Sequence, residues 1–257
     1  MSNAPSLSPI DRLLAIMRQL RNPDGGCEWD LAQDFTTISP YTIEEAYEVA
    51  DAIASGSPEA ICDELGDLLL QVVFHAQIAT DKGLFGFDDV ANAISDKMER
   101  RHPHIFGDAA THDVRQQWEQ IKAAERSADG AKSVLDGVAL SLPALLRAQK
   151  LQGRAARAGF DWPDIDGPRA KIAEELEEVE TAPDDAARAE EVGDLLFAVV
   201  NYARHLGVDA ESALRDANAK FARRFMAVEA RAGADMADMP LDALEAHWQA
   251  VKASEAP

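Results

Sequence analysis

Four acidic residues in the second half of the chain have a spacing suited to holding a cation. Glu175 and Glu178 are three residues apart, and so are Glu191 and Asp194. On an α-helix, positions i and i+3 share a face, so each pair aims its two carboxylates in one direction. The Glu191/Asp194 pair opens the most apolar stretch of this half, Val192 to Leu206. Ionised carboxylates beside an apolar helix are costly unless something compensates them. If the two helices pack antiparallel, four carboxylates converge, and a divalent cation is the natural compensation. The donors are all oxygen, with no His or Cys in either pair. That set suits Mg²⁺ or Mn²⁺ over Zn²⁺. It also differs from a ferritin-like di-iron site, which takes Glu-x-x-His.

The same set occurs in the first half, as Glu45/Glu48 and Glu64/Asp67. It belongs to an internal repeat. Glu64-Leu-Gly-Asp67-Leu-Leu-Leu-Gln-Val-Val-Phe-His75 returns as Glu191-Val-Gly-Asp194-Leu-Leu-Phe-Ala-Val-Val-Asn-Tyr202. Glu44-Glu45-Ala-Tyr-Glu48 returns as Glu174-Glu175-Leu-Glu-Glu178, and Lys97-Met-Glu-Arg-Arg101 as Lys220-Phe-Ala-Arg-Arg224. Trp118 and Lys122 correspond to Trp248 and Lys252, and Trp29 to Trp162. Blocks recurring in one order mark tandem copies of one structural unit. The expected organisation is an N-terminal unit over 1–126, a linker over 127–142 and a C-terminal unit over 143–257. Asp129-Gly130 and Ser141-Leu142-Pro143 punctuate the join.

Positioning these carboxylates falls to helices. The chain is rich in Ala, Leu and Glu, and no alternating strand pattern of useful length is present. Ser39-Pro40 and Ser57-Pro58 read as N-caps followed by Pro at the first helical position. Asp166-Gly167-Pro168 and Ala182-Pro183-Asp184 read as similar starts in the second unit. From Leu65 to Ala79 and from Val192 to Leu206 apolar residues fall almost all round, which predicts buried helices. Asp81-Lys82-Gly83 and the His205–Asp209 segment read as loops. The fold class is all-α: tandem helical bundles of four-helix type.

The composition narrows the partners. The chain carries 25 Lys+Arg against 46 Asp+Glu, a net charge of −21. A surface of that sign disfavours a nucleic-acid polymer, and no long Lys/Arg run offsets it. Hydrophobic residues are 47% of the chain, enough for a packed core. Cys27 and Cys62 make neither a disulfide framework nor a metal knuckle. No secretory leader and no apolar run of membrane-spanning length is seen, so a soluble, cytoplasmic protein is expected, with no membrane partner.

Taken together, Glu-x-x-Glu followed by Glu-x-x-Asp, preceded by Trp and followed by Lys-x-x-x-Arg, resembles the all-α nucleoside triphosphate pyrophosphohydrolases of the MazG type. The tandem copy covers nearly the whole chain, as in the long form with two MazG domains. The resemblance implies a homodimer of helical bundles. It also implies Mg²⁺-dependent hydrolysis of a nucleoside triphosphate to the monophosphate and pyrophosphate, serving to clear damaged or surplus nucleotides. Glu28, between Cys27 and Trp29, departs from the Pro found in many relatives, but lies outside the carboxylate set.

On this reading Glu175, Glu178, Glu191 and Asp194 are metal ligands, with Glu45, Glu48, Glu64 and Asp67 as a second set. Lys220 and Arg224, one helical turn apart, clamp phosphates, and Lys171, Arg188 and Lys252 join them at the nucleotide. Trp248 offers a flat face for a base, and stacking tolerates any base. Glu174 and Glu190 neighbour the ligands and are both candidates for orienting the attacking water. Trp29 and Trp162 read as packing residues, and His102-Pro103-His104 as a helix end.

The halves differ in cations. No Lys or Arg occurs between Arg21 and Lys82, whereas Arg169, Lys171 and Arg188 flank the second set. The second unit is therefore expected to be the main catalytic one. Two rivals remain: a non-catalytic acidic helical scaffold, and a pyrophosphohydrolase dedicated to one nucleotide such as dUTP. A P-loop enzyme is disfavoured, since GxxxxGK[ST] is absent from the sequence.

Overall fold

Short polar segments with built-in caps cut the chain into helices. Ser57 accepts from the Ala60 amide, and Pro58 takes the first helical position of a helix running to Asp81. Asp184 caps the corresponding helix by accepting from the Ala187 amide. Gly56, at φ +73°, supplies the left-handed turn that ends the helix before Ser57. In the computed structural model, residues 7–107, 114–128 and 130–255 are described. Among them there are helices and no strand, as expected for an all-α protein.

The chain divides into two compact units, Met1–Trp118 and Glu119–Pro257. The first contains α1 (Pro9–Leu20), α2 (Glu28–Ala32), α3 (Phe35–Ser55), α4 (Pro58–Asp81), α5 (Phe87–Arg101), α6 (Pro103–Phe106) and the start of α7 (Val114–Ala128). The second continues with α8 (Ala144–Arg157), α9 (Asp166–Thr181), α10 (Asp185–His205), α11 (Ala210–Ala232), a 3-10 turn (Gly233–Asp238) and α12 (Leu241–Ser254). The division falls inside α7, upstream of the 127–142 segment, and Asp129 of that segment lies outside the described residues.

Each unit is built round a hairpin of two long helices, α3/α4 and α9/α10. The connections, Gly56–Ser57 and Ala182–Asp184, are too short to let the partners run any way but antiparallel. A preceding helix packs on the second arm (α1 on α4, α8 on α10), and a following helix does too (α5 on α4, α11 on α10). The repeat in sequence is thus a repeat in packing.

In the first unit Met17, Ile38, Val73, Phe74 and Ile78 form a buried cluster between α1, α3 and α4. Each such side chain contributes about 1.5–3 kcal/mol by leaving water. In the second unit the buried residues of α10 are Ala198, Val200 and Asn201, and that of α8 is Gln152.

Three local expectations need correction. Ser39-Pro40 is not a helix start. α3 begins five residues earlier, because Asp34 and Thr37 form a reciprocal capping box, and Pro40 is carried inside the helix. Asp166-Gly167-Pro168 is the first turn of α9 itself, entered from Ile165, and at α10 the cap is Asp184, after Pro183. Nor are the apolar helices buried all round. Leu65 and Leu69 on α4 and Val192, Leu196, Phe197 and Val199 on α10 are exposed in the single chain. His102 does end α5, and Pro103 opens the short α6. Among the described residues no helix is long and apolar enough to cross a membrane.

Candidate functional site

The antiparallel α9/α10 hairpin brings Glu175, Glu178 and Glu191 together. One carboxylate oxygen from each lies within 4.8 Å of the others. The α3/α4 hairpin does the same for Glu45, Glu48 and Glu64. Asp194 and Asp67, one turn further along, are exposed and stand outside these tight clusters. Asp194 instead lines a cavity beside Glu175.

The two triads differ in what balances them. Glu175 is buried, 4% exposed, and its Oε1 takes a 2.6 Å ion pair from Lys171 Nζ. The same ammonium reaches Glu174 Oε1 at 2.8 Å. Glu174 and Glu175 together hold the lysine protonated far above its ordinary range. Glu175 Oε2 is buried and has no hydrogen-bond partner among the described residues. A buried carboxylate with one unpartnered oxygen, clustered with two more carboxylates, fits a hard cation. Glu178 has its pKa raised, first by desolvation and then by Glu175 and Glu191.

Among the described residues of the first unit no ammonium takes that place. Glu45 accepts a 3.3 Å hydrogen bond from Gln71 Nε2. Its pKa is raised by desolvation, then by Glu48 and Asp67, and that of Glu64 is raised by desolvation and then by Glu48, Asp67 and Asp63. This is the local consequence of a stretch without Lys or Arg.

The remaining expected residues fall in three places. Glu190 is exposed near the start of α10, and Arg188 there pairs with Asp185 at 2.6 Å. Lys220 and Lys252 are exposed on α11 and α12. Arg224 donates to Glu255 at 2.7 Å and lies over the Trp248 ring, 5.9 Å from its centroid. The Trp248 ring also packs on Phe221, centroids 5.6 Å apart. The face expected to be open to a base thus carries Arg224. The first unit repeats this arrangement, with Arg101 over Trp118 at 5.3 Å. Lys220, Arg224, Trp248 and Lys252 lie outside the cavity that Lys171, Glu175 and Asp194 share.

That cavity, about 740 Å³, was not legible in the repeat motifs. It lies between α8, α9 and α10 and reaches from Trp162 and Gln152 to Glu175 and Asp194. Trp162 rests so close to Gly167 that a Cβ there would meet its ring at 2.0 Å. Asp161, next to Trp162, is tied to α10 by Arg204 and by His205 Nε2 at 3.0 Å. Those bonds, Arg204 foremost, hold the Asp161 carboxyl below the usual range. A signal that could have pointed here is Asn201, a polar residue in the most apolar helix, where the first repeat has Phe74.

Comparison with known proteins agrees with the geometry. Residues 33–106 and 169–228 match the MazG nucleotide pyrophosphohydrolase domain, one segment in each unit. The chain belongs to the MazG family. It is 51% identical to the nucleoside triphosphate pyrophosphohydrolase of Escherichia coli K12, over 97% of this chain and 99% of that protein. The MazG protein of Thermotoga maritima, named a nucleoside triphosphate pyrophosphohydrolase/pyrophosphatase, is 43% identical over 96% of both chains. A nucleoside triphosphate pyrophosphohydrolase of Mycobacterium tuberculosis is 33% identical over 96% of this chain and 71% of its own length. Both MazG segments contain a complete acidic triad, so membership alone does not tell the two units apart.

Proposed function

We propose that this MazG chain is a Mg²⁺-dependent nucleoside triphosphate pyrophosphohydrolase, converting NTP and water to NMP and pyrophosphate. The carrying observation is the Glu175/Glu178/Glu191 cluster with its orphaned Glu175 oxygen. Glu175, Glu178 and Glu191 hold the cation, with Asp194 joining them from the cavity wall. Mn²⁺ is the expected substitute. A bound Mg²⁺ supplies Lewis-acid activation of water and charge neutralisation on the leaving group.

Water attacks the α-phosphorus, the bond to the β-bridging oxygen breaks, and the electron pair leaves with pyrophosphate. The water proton passes to a carboxylate next to a ligand in the chain, Glu174 or Glu190. Lys171 orients Glu175 through their 2.6 Å ion pair. Lys171, Arg188, Lys220, Arg224 and Lys252 are the cations available to the phosphates, and Trp248 holds Arg224 in place. An anionic substrate competes with Glu255 and Asp185 for Arg224 and Arg188, which makes these ion pairs exchangeable.

The working form is a homodimer. Val192, Leu196 and Val199 lie on α10 at helical spacing, and each is more than 40% exposed in the single chain. Such a stripe is ordinarily covered. A second copy offers the same stripe, and an isologous pairing covers both at once. The second unit carries the main catalytic site, because among the described residues its triad alone has a lysine partner. Broad use of bases, in the service of nucleotide-pool cleaning, completes the reading.

The test is a panel of NTPs and dNTPs with Mg²⁺, in which both products are identified. NMP plus pyrophosphate from several bases is expected. NDP plus phosphate would mean a different bond is cut, and no turnover at all would leave an acidic scaffold. Turnover of dUTP alone would make the enzyme a dedicated one.

A further inference from the structure

We infer that the segment joining the two repeats is a strap that forms one wall of the second unit's cavity, and that Arg154 of α8 is the positioning residue that holds it there. This rests on the proposed function, in which the carboxylates at one end of that cavity carry out the reaction. It adds a part of the cavity that belongs to neither repeat.

By sequence, 127–142 reads as a connection between units. Residues 132–138 are instead folded against the second unit. Asp136 Oδ2 accepts from the Lys132 amide at 2.7 Å and from the Ser133 amide at 2.9 Å. The Asp136 amide donates back to the Ser133 carbonyl at 3.1 Å. These bonds curl the segment into a tight turn with its own internal frame. Arg154 then takes carbonyls of that turn. It donates to Val134 at 3.4 Å, to Asp136, and to Gly137 at 3.4 Å. A guanidinium carries five N–H donors in a fixed fork, so one side chain spans three carbonyls.

The contact reaches the cavity through one side chain. Leu135 lines it beside Leu151 and Ala155 of α8, and the same cavity extends to Glu175 and Asp194. Val138, three residues after Leu135, is buried. The other walls are helices α8, α9 and α10 and the loop around Trp162. Helices satisfy their own backbones, and the Trp162 loop is tied to α10 by Asp161 through Arg204 and His205. Among the described residues, hydrogen bonds from other elements into 132–138 come from Arg154. A wall segment fastened through one side chain is the part of the cavity that opens at the lowest cost.

The same face of α8 fastens the helix that leads into the strap. Arg157, one turn after Arg154, pairs with Glu119 of α7 at 3.4 Å. Positions i and i+3 share a helix face, so the two arginines lie side by side. The chain entering the second unit is thus anchored twice on a helix that is itself a cavity wall. Arg154 is the stronger anchor, since a half-exposed ion pair such as Arg157–Glu119 contributes little.

The test uses the full-length chain and two variants. Arg154→Met keeps a long stem and removes the donors. Leu135→Ser strips the wall but leaves the clamp, because Arg154 bonds main-chain carbonyls. Trypsin cleavage after Lys132, read by mass spectrometry in EDTA without nucleotide, reports opening of the strap. It should be roughly tenfold faster in Arg154→Met, the scale of a lost hydrogen bond, and unchanged in Leu135→Ser. With Mg²⁺ and NTP, KM should rise several-fold in both variants while kcat stays within about twofold. Thermal unfolding should shift by no more than about 4 °C, which separates the strap from general loss of structure. α,β-Methylene-ATP with Mg²⁺ should slow cleavage at Lys132 in the unaltered chain. Unchanged cleavage in Arg154→Met overturns the proposal, and so does an unchanged KM in both variants. If α,β-methylene-ATP protects Lys132 but no NTP is hydrolysed, the proposed activity fails and the strap stands. If NTPs are hydrolysed with no such protection, the strap fails alone.

Discussion

Lys171 Nζ sits 2.6 Å from Glu175 Oε1, while the other oxygen of that carboxylate is buried and unpaired. One side of Glu175 is thus neutralised by the chain, and the other is left to a cation. Lys171→Met removes the internal partner. The loss on breaking a buried pair is ~3–5 kcal/mol. Because Lys171 is about one-third exposed, a smaller loss of about 1–2 kcal/mol is expected in metal-free protein. Urea unfolding in EDTA and in Mg²⁺ checks this. Added Mg²⁺ should recover part of the loss, since a bound cation replaces the missing charge.

Glu175→Ala and Glu45→Ala separate the two units. The first should lower kcat at least ~100-fold, a scale typical of losing a principal electrostatic contact in the transition state. The second should leave most of the activity, because Glu45 belongs to the triad without a lysine. Steady-state rates of the two purified variants decide it. Equal losses would remove the asymmetry between the units.

The raised carboxyl groups Glu45, Glu64 and Glu178 make a pH prediction with a definite sign. Each binds its proton more tightly in the folded chain than the reference value of 4.5. Their stabilising share is full below that value and is lost as the pH climbs through the raised one. Thermal melts in EDTA should therefore show this share falling with rising pH. Glu178→Gln should flatten the slope, and Mg²⁺ should oppose it at neutral pH.

Leu196→Lys places a charge in the exposed stripe of α10. Light scattering should give a dimer for the unaltered chain and a monomer, or a concentration-dependent mixture, for the variant. Circular dichroism should stay helical, since Leu196 is 53% exposed in the chain itself. A variant that remains a tight dimer would place the contact elsewhere.

Gly167→Ala tests the seating of Trp162. The added methyl would fall 2.0 Å from the indole, so the ring must move. Overpacking of this kind costs about 1–3 kcal/mol, and urea unfolding should show that loss. Unchanged stability would mean that the indole has room to move aside.

Much of this protein is written in local sequence. Helix content follows from the Ala-, Leu- and Glu-rich composition and from caps such as Ser57-Pro58. The carboxylate clusters follow from i, i+3 spacing on two helices and a turn too short for anything but an antiparallel return. The cation asymmetry needed only the absence of Lys and Arg between Arg21 and Lys82. These features are legible because each depends on residues within a turn or two of one another.

What tertiary structure decided was which side of each group is already occupied. Spacing put Glu191 and Asp194 on one face, yet only Glu191 meets Glu175 and Glu178 closely, because the hairpin's crossing fixes which turns face each other. Trp248 read as an open aromatic face; packing of α11 on α12 lays Arg224 across it. Val192 to Leu206 read as wholly buried; the single chain covers one side of it and leaves Leu196 bare. The burial of Gln152 had no sequence signal, since its bond to the Phe197 carbonyl arises where α8 meets α10. By itself the sequence determined which groups exist and which share a helix face, since both follow from composition and a fixed 3.6-residue turn. Whether a group is paired, covered or left waiting for a ligand depends on helices distant in the chain, and only their packing supplies that.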